Sequence, residues 1–472
     1  MSYYAIVTTL KNVVKHPNAD RLQLATVFGN TVCVSMEYTE GQVGIYFPTG
    51  GQLSVAFAEA NNLLRKKDAD GNNIGGYMDP EKRNVTAIRL RGEKSDGLFL
   101  PLSCLESFGD VKKLSVGDRI DVFNGQEICT KYIPKTSARR GRVSEGNKTR
   151  KRSVPLAPTF AEHADTEQLA YNLGAFKVGD ELEFTLKMHG TSQRTGHLKI
   201  LTGYKRTLLD KLLKRQGTPI YDWGYVSGTR RVVLDSFDGG FYGSNEFREQ
   251  HHNTFVGKLW KGETVYSEIV AFTHTGTPIM GNGNNEKMGK EFVKQYGKET
   301  VFSYGCSPNG KKVYYGQDEE GAYELTKDCP QSDLYVYRMT MTTEDGEVVE
   351  YTPEFMRYRC EQMGVKCVPV FGKAIISEDR LHFTAPDGQD HDYLIGDGTL
   401  GDLVLKCAEE FYDGPDPVGR THIREGVVVR ITNRPKFCAY KHKNFAFKVI
   451  SGIAAEAAAN NADLTDDILA EL

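Results

Sequence analysis

The sequence predicts an α+β protein in two parts, a small β-barrel in residues 1–128 and a larger body of antiparallel sheets and helices in residues 155–472. A basic linker at 129–154 joins them. Three observations carry this division. The first part is a run of short apolar-alternating segments broken by turns, the middle is basic and poor in apolar side chains, and the last part returns to longer alternating strands with glycine turns.

The size agrees, since 472 residues exceed what one hydrophobic core usually organises. With 39% hydrophobic and 26% charged residues the chain is expected to fold rather than to remain disordered. A net charge of −3 gives no global attraction to nucleic acid, so any such binding must come from local basic clusters. The nine cysteines are odd in number, scattered, and free of any CxxC pair. They are expected to be reduced thiols, not a disulfide framework or a zinc site. No secretory pattern opens the sequence and no apolar run approaches a membrane span, so the expectation is a soluble, cytoplasmic protein without a membrane partner.

In the first part, strands are expected at residues 4–10, 22–28, 31–35, 44–47, 85–90 and 97–102, with turn-rich breaks at 68–73 and 115–118. Many short strands in about 120 residues favour a small barrel. Between residues 131 and 152 nine Lys or Arg side chains face the single acid Glu145. Such a run is either a solvated connector or an arm that follows a nucleic-acid backbone. Beyond it, helices are expected around residues 208–215 and 353–363, and the acidic, Ala-rich stretch 453–472 is expected to form one or two surface helices.

Five segments carry chemistry. In residues 181–188, Glu-Leu-Glu-Phe-Thr-Leu-Lys-Met, apolar and polar side chains alternate, which places Lys187 on the polar face at a strand end. His189-Gly190-Thr191-Ser192 then turns the chain, and a lysine beside a glycine that lets a ligand approach suits a covalent nucleophile. Glu268 stands inside the apolar strand Tyr266-Ser267-Glu268-Ile269-Val270, where an ionised group needs a partner or a ligand. Tyr335 and Tyr337 share a strand face and suit either base stacking or core packing. Glu425 opens the apolar run Gly426-Val427-Val428-Val429. Lys441 and Lys443 lie on one strand face, and their repulsion calls for an anion between them.

The order KxxG, YxEIV, YVYRM, EGVVV and KxK resembles motifs I, III, IIIa, IV and V of the covalent nucleotidyltransferase superfamily of ligases and RNA capping enzymes. Lys187-Met188-His189-Gly190 and Lys441-His442-Lys443-Asn444 are most similar to the ATP-dependent RNA ligases. DNA ligases and capping enzymes carry an OB domain after the last motif, whereas here the short-strand segment stands in front. That order resembles the RNA ligase branch with an N-terminal OB domain, as do the OB-type stretch His16-Pro17-Asn18-Ala19-Asp20-Arg21-Leu22, residues 88–98 and His163-Ala164-Asp165-Thr166-Glu167-Gln168.

The resemblance implies an OB-like barrel ahead of a nucleotidyltransferase domain of the ATP-grasp-like ligase type. It implies an RNA ligase that forms a lysyl-AMP intermediate with ATP and Mg2+ or Mn2+, joins RNA 5′-phosphate and 3′-hydroxyl ends, and serves RNA repair. Lys187 would be the adenylated nucleophile. Glu268 would meet the ribose, Tyr337 in preference to Tyr335 the adenine, Glu425 a divalent metal, Lys441 and Lys443 the α-phosphate, and Arg230 or Arg231 the RNA 5′-phosphate. One departure stands out, because many relatives carry Asp where this chain has His189. Two other readings stay open at this stage, an RNA-binding protein with an inactive nucleotidyltransferase domain and a DNA ligase or capping-type enzyme.

Overall fold

The computed structural model describes residues 3–71, 73–133, 154–238, 245–273, 279, 304, 317–318, 321–322, 332–418 and 423–449. The basic linker from 134 to 153 and the helices expected at 453–472 lie outside the described residues. The described residues form two units, one of residues up to 133 together with 445–449, the other of residues 154 to 444. The sequence had grouped 445–449 with the second part.

In the first unit, strands Leu98–Pro101, Val43–Phe47, Ala5–Thr9 and Arg119–Ile120 make a four-stranded antiparallel sheet in that order. Val7, Ile45, Phe47 and Phe57 are fully buried beneath it with Leu53 and Leu105. A three-stranded meander, Lys11–Lys15, Leu22–Val27 and Asn30–Ser35, stands apart in its pairing. The turn between its first two strands is fastened by His16, whose Nδ1 accepts from the Asn18 N–H at 3.0 Å and whose Nε2 lies 3.1 Å from the Leu90 carbonyl. A closed barrel is not formed among the described residues, whose strands fall into separate short sheets. Asn12 at φ 52° coincides with a register break in the meander, and the left-handed pairs Phe28-Gly29 and Arg91-Gly92 make two-residue hairpin turns. Residues 445–449 are helical. Lys448 there pairs with the Asp96 carboxylate and donates to Asn30 Oδ1 at 3.1 Å.

The second unit holds the candidate site. Its first sheet runs Glu167–Gln168, Cys438–Lys443, Gly426–Ile431, Glu181–Leu186, Val370–Ile376, Arg380–Thr384, Asp390–Leu394. All neighbours are antiparallel except Glu167–Gln168, which lies parallel to Tyr440–Lys441. Its second sheet runs Thr218–Gly228, Thr191–Lys205, Glu263–Ala271, Ser332–Thr342, Val348–Glu350. The chain crosses from the first sheet to the second at residues 187–190.

Each sheet buries one apolar face. Phe184, Val427, Val429 and Ile431 pack with Leu403, Val404 and Cys407 of the helix Leu400–Glu409. Val265, Ile269, Val336 and Met339 pack with Phe247 and Phe255 of the helix Glu246–Phe255 and with Met356, Cys360 and Met363 of the helix Pro353–Met363. Each such aliphatic or aromatic side chain contributes roughly 1.5–3 kcal/mol by leaving water. Helix Pro353–Met363 appears where expected, capped by Thr352, opened by Pro353 and stopped by left-handed Gly364. The helix expected around 208–215 is shorter, Leu208–Leu212. Helices Glu246–Phe255 and Leu400–Glu409 were not foreseen. The second begins with a capping box of Thr399 and Asp402 that the sequence does display. Among the described residues no helix is long and apolar enough to cross a membrane.

Candidate active site

Lys187 follows directly on the strand Glu181–Leu186, and its N–H donates to the Gly426 carbonyl at 3.0 Å. Phe184 and Leu186 are fully buried on the core face, so alternation turns the strand's other face, and Lys187 after it, away from that core. The side chain is about a quarter exposed and its Nζ lies 2.8 Å from Glu425 Oε1. Glu425 is buried, at the start of the strand Gly426–Ile431. The same Oε1 takes Lys443 Nζ at 3.1 Å, and Oε2 lies 3.5 Å from His189 Nδ1. One carboxylate thus gathers three side chains from two separate strand ends.

Burial pushes the Glu425 carboxyl upward, but Lys187, Lys443 and the hydrogen bond of His189 outweigh it, so the group ionises well below the ordinary glutamate range. His189 is pushed the other way. Burial lowers its pKa and the Glu425 carboxylate only partly restores it, so the imidazole is neutral at pH 7. Lys441, on the same strand as Lys443, is pushed down to about 7 by burial first and then by Lys187, Arg230 and Lys443. Lys187, Arg230 and Lys443 act on it as cations, and Glu425 opposes them.

An anion bound beside Lys441 is expected to bring a proton with it. Between pH 7 and 8 much of the amine is neutral in the free protein, and a phosphate anion beside it favours the ammonium form. Binding of inorganic triphosphate at pH 8 is therefore expected to take up close to one proton. Titration calorimetry in buffers of different ionisation heat measures the uptake. Lys441→Gln should abolish it, and an unchanged uptake in that variant would move the titration to another group.

The adenine and ribose candidates lie on the second sheet. Glu268 pairs across to Ser192 on one side and Tyr335 on the other. The register breaks between Tyr266 and Ser267, which face Arg338 and Val336, so Tyr337 is the extra residue of a β-bulge. Tyr335 and Tyr337 both turn toward Leu186, Met188 and Val368, as expected from the sequence. They differ in engagement. The Tyr335 hydroxyl donates to Asp333 Oδ2 at 3.1 Å and Lys366 stands over its ring, whereas Tyr337 meets the edge of the His163 ring at 5.1 Å. Burial and then the charge of Glu268 raise the Tyr337 phenol far above its ordinary range, which sets Glu268 beside that ring.

A Cβ at Gly190 would collide with the Ile269 carbonyl and touch Glu268, so the glycine permits the close approach of the strand Glu263–Ala271. Arg230 and Arg231 follow the strand Thr218–Gly228 and both meet the carboxylate of Asp165, at 3.4 and 3.0 Å. Arg230 is the inner of the two, with its positive charge felt by both Lys441 and His163.

Three contributions were not read from the sequence. His163 is a buried, neutral imidazole held low by burial and by Arg230, Arg338 and Arg194. His189 takes the place beside Glu425 instead of leaving a gap. Asp416 is fully buried, its carboxyl pushed up to about 7 by burial, and it accepts from the Tyr304 hydroxyl at 2.8 Å next to Met188. None follows a local pattern, since each depends on contacts between segments far apart in sequence.

Among the described residues no three His, Cys, Asp or Glu side chains are grouped to hold a metal. Glu425, the carboxylate that would meet a divalent cation, is paired with Lys187 and Lys443, and the described residues do not fit a metal caged by protein alone.

No protein-family model and no curated protein matches the chain. Among solved structures, it is similar to a mutant of the Naegleria gruberi RNA ligase with ATP and Mn, at 16% identity and a TM-score of 0.50, over 94% of this chain and 98% of that one. An apo mutant of the same ligase gives 17% identity and a TM-score of 0.49 over 95% and 97% of the two chains. At this identity the first likeness shows similarity of fold alone.

Proposed function

We propose that the chain is an ATP-dependent RNA ligase that adenylates its own Lys187, passes AMP to an RNA 5′-phosphate and seals that end to a 3′-hydroxyl, in RNA repair. The observation that carries the reading is the meeting of Lys187, Lys443 and His189 on the single buried carboxylate of Glu425. A lysine held in a cationic cleft has little structural use, because each added cation raises the electrostatic cost of the others. The same surplus is what a triphosphate needs.

In this reading Lys187 Nζ attacks the α-phosphorus of ATP. An N–P bond forms, the bond to the bridging oxygen breaks, and pyrophosphate leaves. An ordinary lysine near 10.4 is protonated at pH 7, so the amine must shed a proton before it attacks. Glu425 orients Nζ, while Lys441 and Lys443 face the α-phosphate and stabilise the charge that grows on its oxygens. Glu268 and Tyr337 are assigned to ribose and adenine, with Tyr337 preferred because the Tyr335 hydroxyl is already committed to Asp333. A divalent cation bound with the nucleotide would add Lewis-acid stabilisation of the phosphates. An oxygen of the RNA 5′-phosphate, held by Arg230 and Arg231, then attacks the same phosphorus and the N–P bond breaks. The 3′-hydroxyl attacks the RNA phosphorus, and AMP leaves.

The first unit and the basic stretch 129–154 are assigned to gripping RNA. Incubation of the full chain with labelled ATP and magnesium or manganese, followed by a denaturing gel, tests the reading. Protein-bound AMP that a 5′-phosphorylated RNA discharges is the expected result. No bound AMP with either metal would leave an RNA-binding protein with an inactive nucleotidyltransferase domain.

A further inference from the structure

Both tryptophans of the chain lie on one stretch of the second unit's surface. Trp223 stands on the strand Thr218–Gly228, its ring edge-on to His197 at 5.8 Å. Lys199 Nζ lies 4.8 Å and Lys261 Nζ 5.4 Å from its centroid, and among the described residues neither lysine is in an ion pair. His197 ties this strand pair to the segment that carries Trp260. Its Nδ1 is 3.0 Å from the Leu259 carbonyl, and its own carbonyl accepts from the Gly262 N–H at 2.8 Å. One face of Trp260 lies over the Arg359 guanidinium, 3.8 Å from the ring centroid. Arg359 is fixed there, buried and donating to both oxygens of the buried Glu263 at 2.8 and 2.7 Å. Trp260 is nevertheless 48% exposed, so its open surface is the other face. Phe355 follows at 6.4 Å, and Tyr358 stacks on Phe355 at 6.1 Å, the two rings 38% and 51% exposed. Trp223 shares its strand face with Tyr225, which packs into the core beneath the helix Pro353–Met363, whereas Tyr335 and Tyr337 turn to the other face of their sheet. The ring row is therefore separate from the candidate active site.

We propose that Trp223, Trp260, Phe355 and Tyr358, with Lys199 and Lys261, form a binding surface for single-stranded RNA, the rings taking bases and the lysines phosphates. The inference rests on the ligase reading only in choosing RNA over DNA. A ring already held in place with an open face gains apolar contact from a stacked base without the cost of ordering its own side chain. A lysine without a counter-ion beside such a ring attracts an anion, and a single strand alternates phosphates with bases along one chain. A protein partner would have to desolvate both lysines and bring carboxylates to pair with them. A duplex hides its base faces in its own stack and offers the rings nothing to cover. Stacking does not read base edges, so the sequence of the strand should matter little.

Residues 1–133 contain no tryptophan, so the tryptophan fluorescence of the full chain reports this surface and not the first unit. Titration with a short single-stranded uridine oligonucleotide at low salt is expected to quench the emission saturably, and an RNA duplex of the same length to leave it unchanged. Trp260→Ala and Tyr358→Ala should each weaken binding roughly 5- to 150-fold, the range for one lost base stack, read in the first variant from Trp223. Trp260→Phe, which keeps a ring over Arg359, should hold the affinity to within about fivefold. Lys199→Gln and Lys261→Gln should each flatten the dependence of log affinity on log salt by about 0.7, the effect of one phosphate contact on a single strand. No saturable quenching, or equal quenching by the duplex, overturns the proposal. So does wild-type affinity in Tyr358→Ala, which decides alone should Trp260→Ala melt early. Labelled-ATP incubation of the same wild-type preparation keeps the two ideas apart, because quenching needs no ATP. Protein-bound AMP without quenching defeats the RNA surface alone, whereas quenching with the expected losses in a chain that acquires no AMP defeats the ligase reading alone.

Discussion

Lys187→Ala is expected to acquire no AMP from labelled ATP, a fall of at least about a thousandfold, the scale on which loss of a covalent nucleophile is felt. The fold should survive. Lys187 is the most exposed member of its cluster, and Glu425 keeps Lys443 as a partner when it is gone. Thermal melts close to wild type would separate lost chemistry from lost structure. Lys187→Arg should fail as completely, since guanidinium keeps its proton at any workable pH. Labelled AMP on either variant would place the nucleophile elsewhere.

Glu425→Gln should be the more disruptive change, because it removes the carboxylate that pairs with both Lys187 and Lys443. Self-adenylation is expected to fall at least about a hundredfold. Stability should fall too, by as much as about 3–5 kcal/mol, the range for breaking a buried pair and leaving its cations uncompensated. The pH sign follows from the depressed carboxyl. Its stabilisation is full above the ordinary glutamate value and is lost only as pH falls through the lower value of the folded state. Wild type and variant melts should therefore converge in acid and separate toward neutrality. Inorganic triphosphate should recover part of the variant's loss by standing in for the carboxylate. Equal melting at pH 7 would mean that solvent, not Glu425, neutralises the lysines.

The elements of the second unit were legible where a local period carries them. Alternation put Lys187 on the polar face of its strand and set Lys441 and Lys443 on one face, and the structure has both lysines within reach of the same cleft. Alternation could not tell that Glu425 would serve as their common counter-ion, since that depends on strands joined by pairing across some 240 residues. Gly190 was legible as necessary but not as to what approaches it. The front unit shows the opposite limit. Its strands lie close to where the sequence expected them, from Ala5–Thr9 to Leu98–Pro101, yet which strand pairs with which depends on contacts far apart in the chain, and the expected closed barrel is not formed among the described residues. Helix Leu400–Glu409 was missed although its capping box is visible, because an apolar run of that length reads equally as a buried strand.

The extra residue at Tyr337 also sets the phase of its strand. Before it, Leu334 and Val336 point into the core; after it, Met339 and Met341 do, so the buried positions pass from even to odd numbers at one point. A chain shortened by that residue would pair without interruption and would keep both methionines in the core, since Val336, Arg338 and Met339 would then point in, out and in. What it would lose is the side chain of Tyr337. An insertion in the turn between Thr342 and Val348 would leave the phase intact. The core pattern thus does not require the extra residue, and the aromatic side chain at 337 is an addition to a strand that alternates without it.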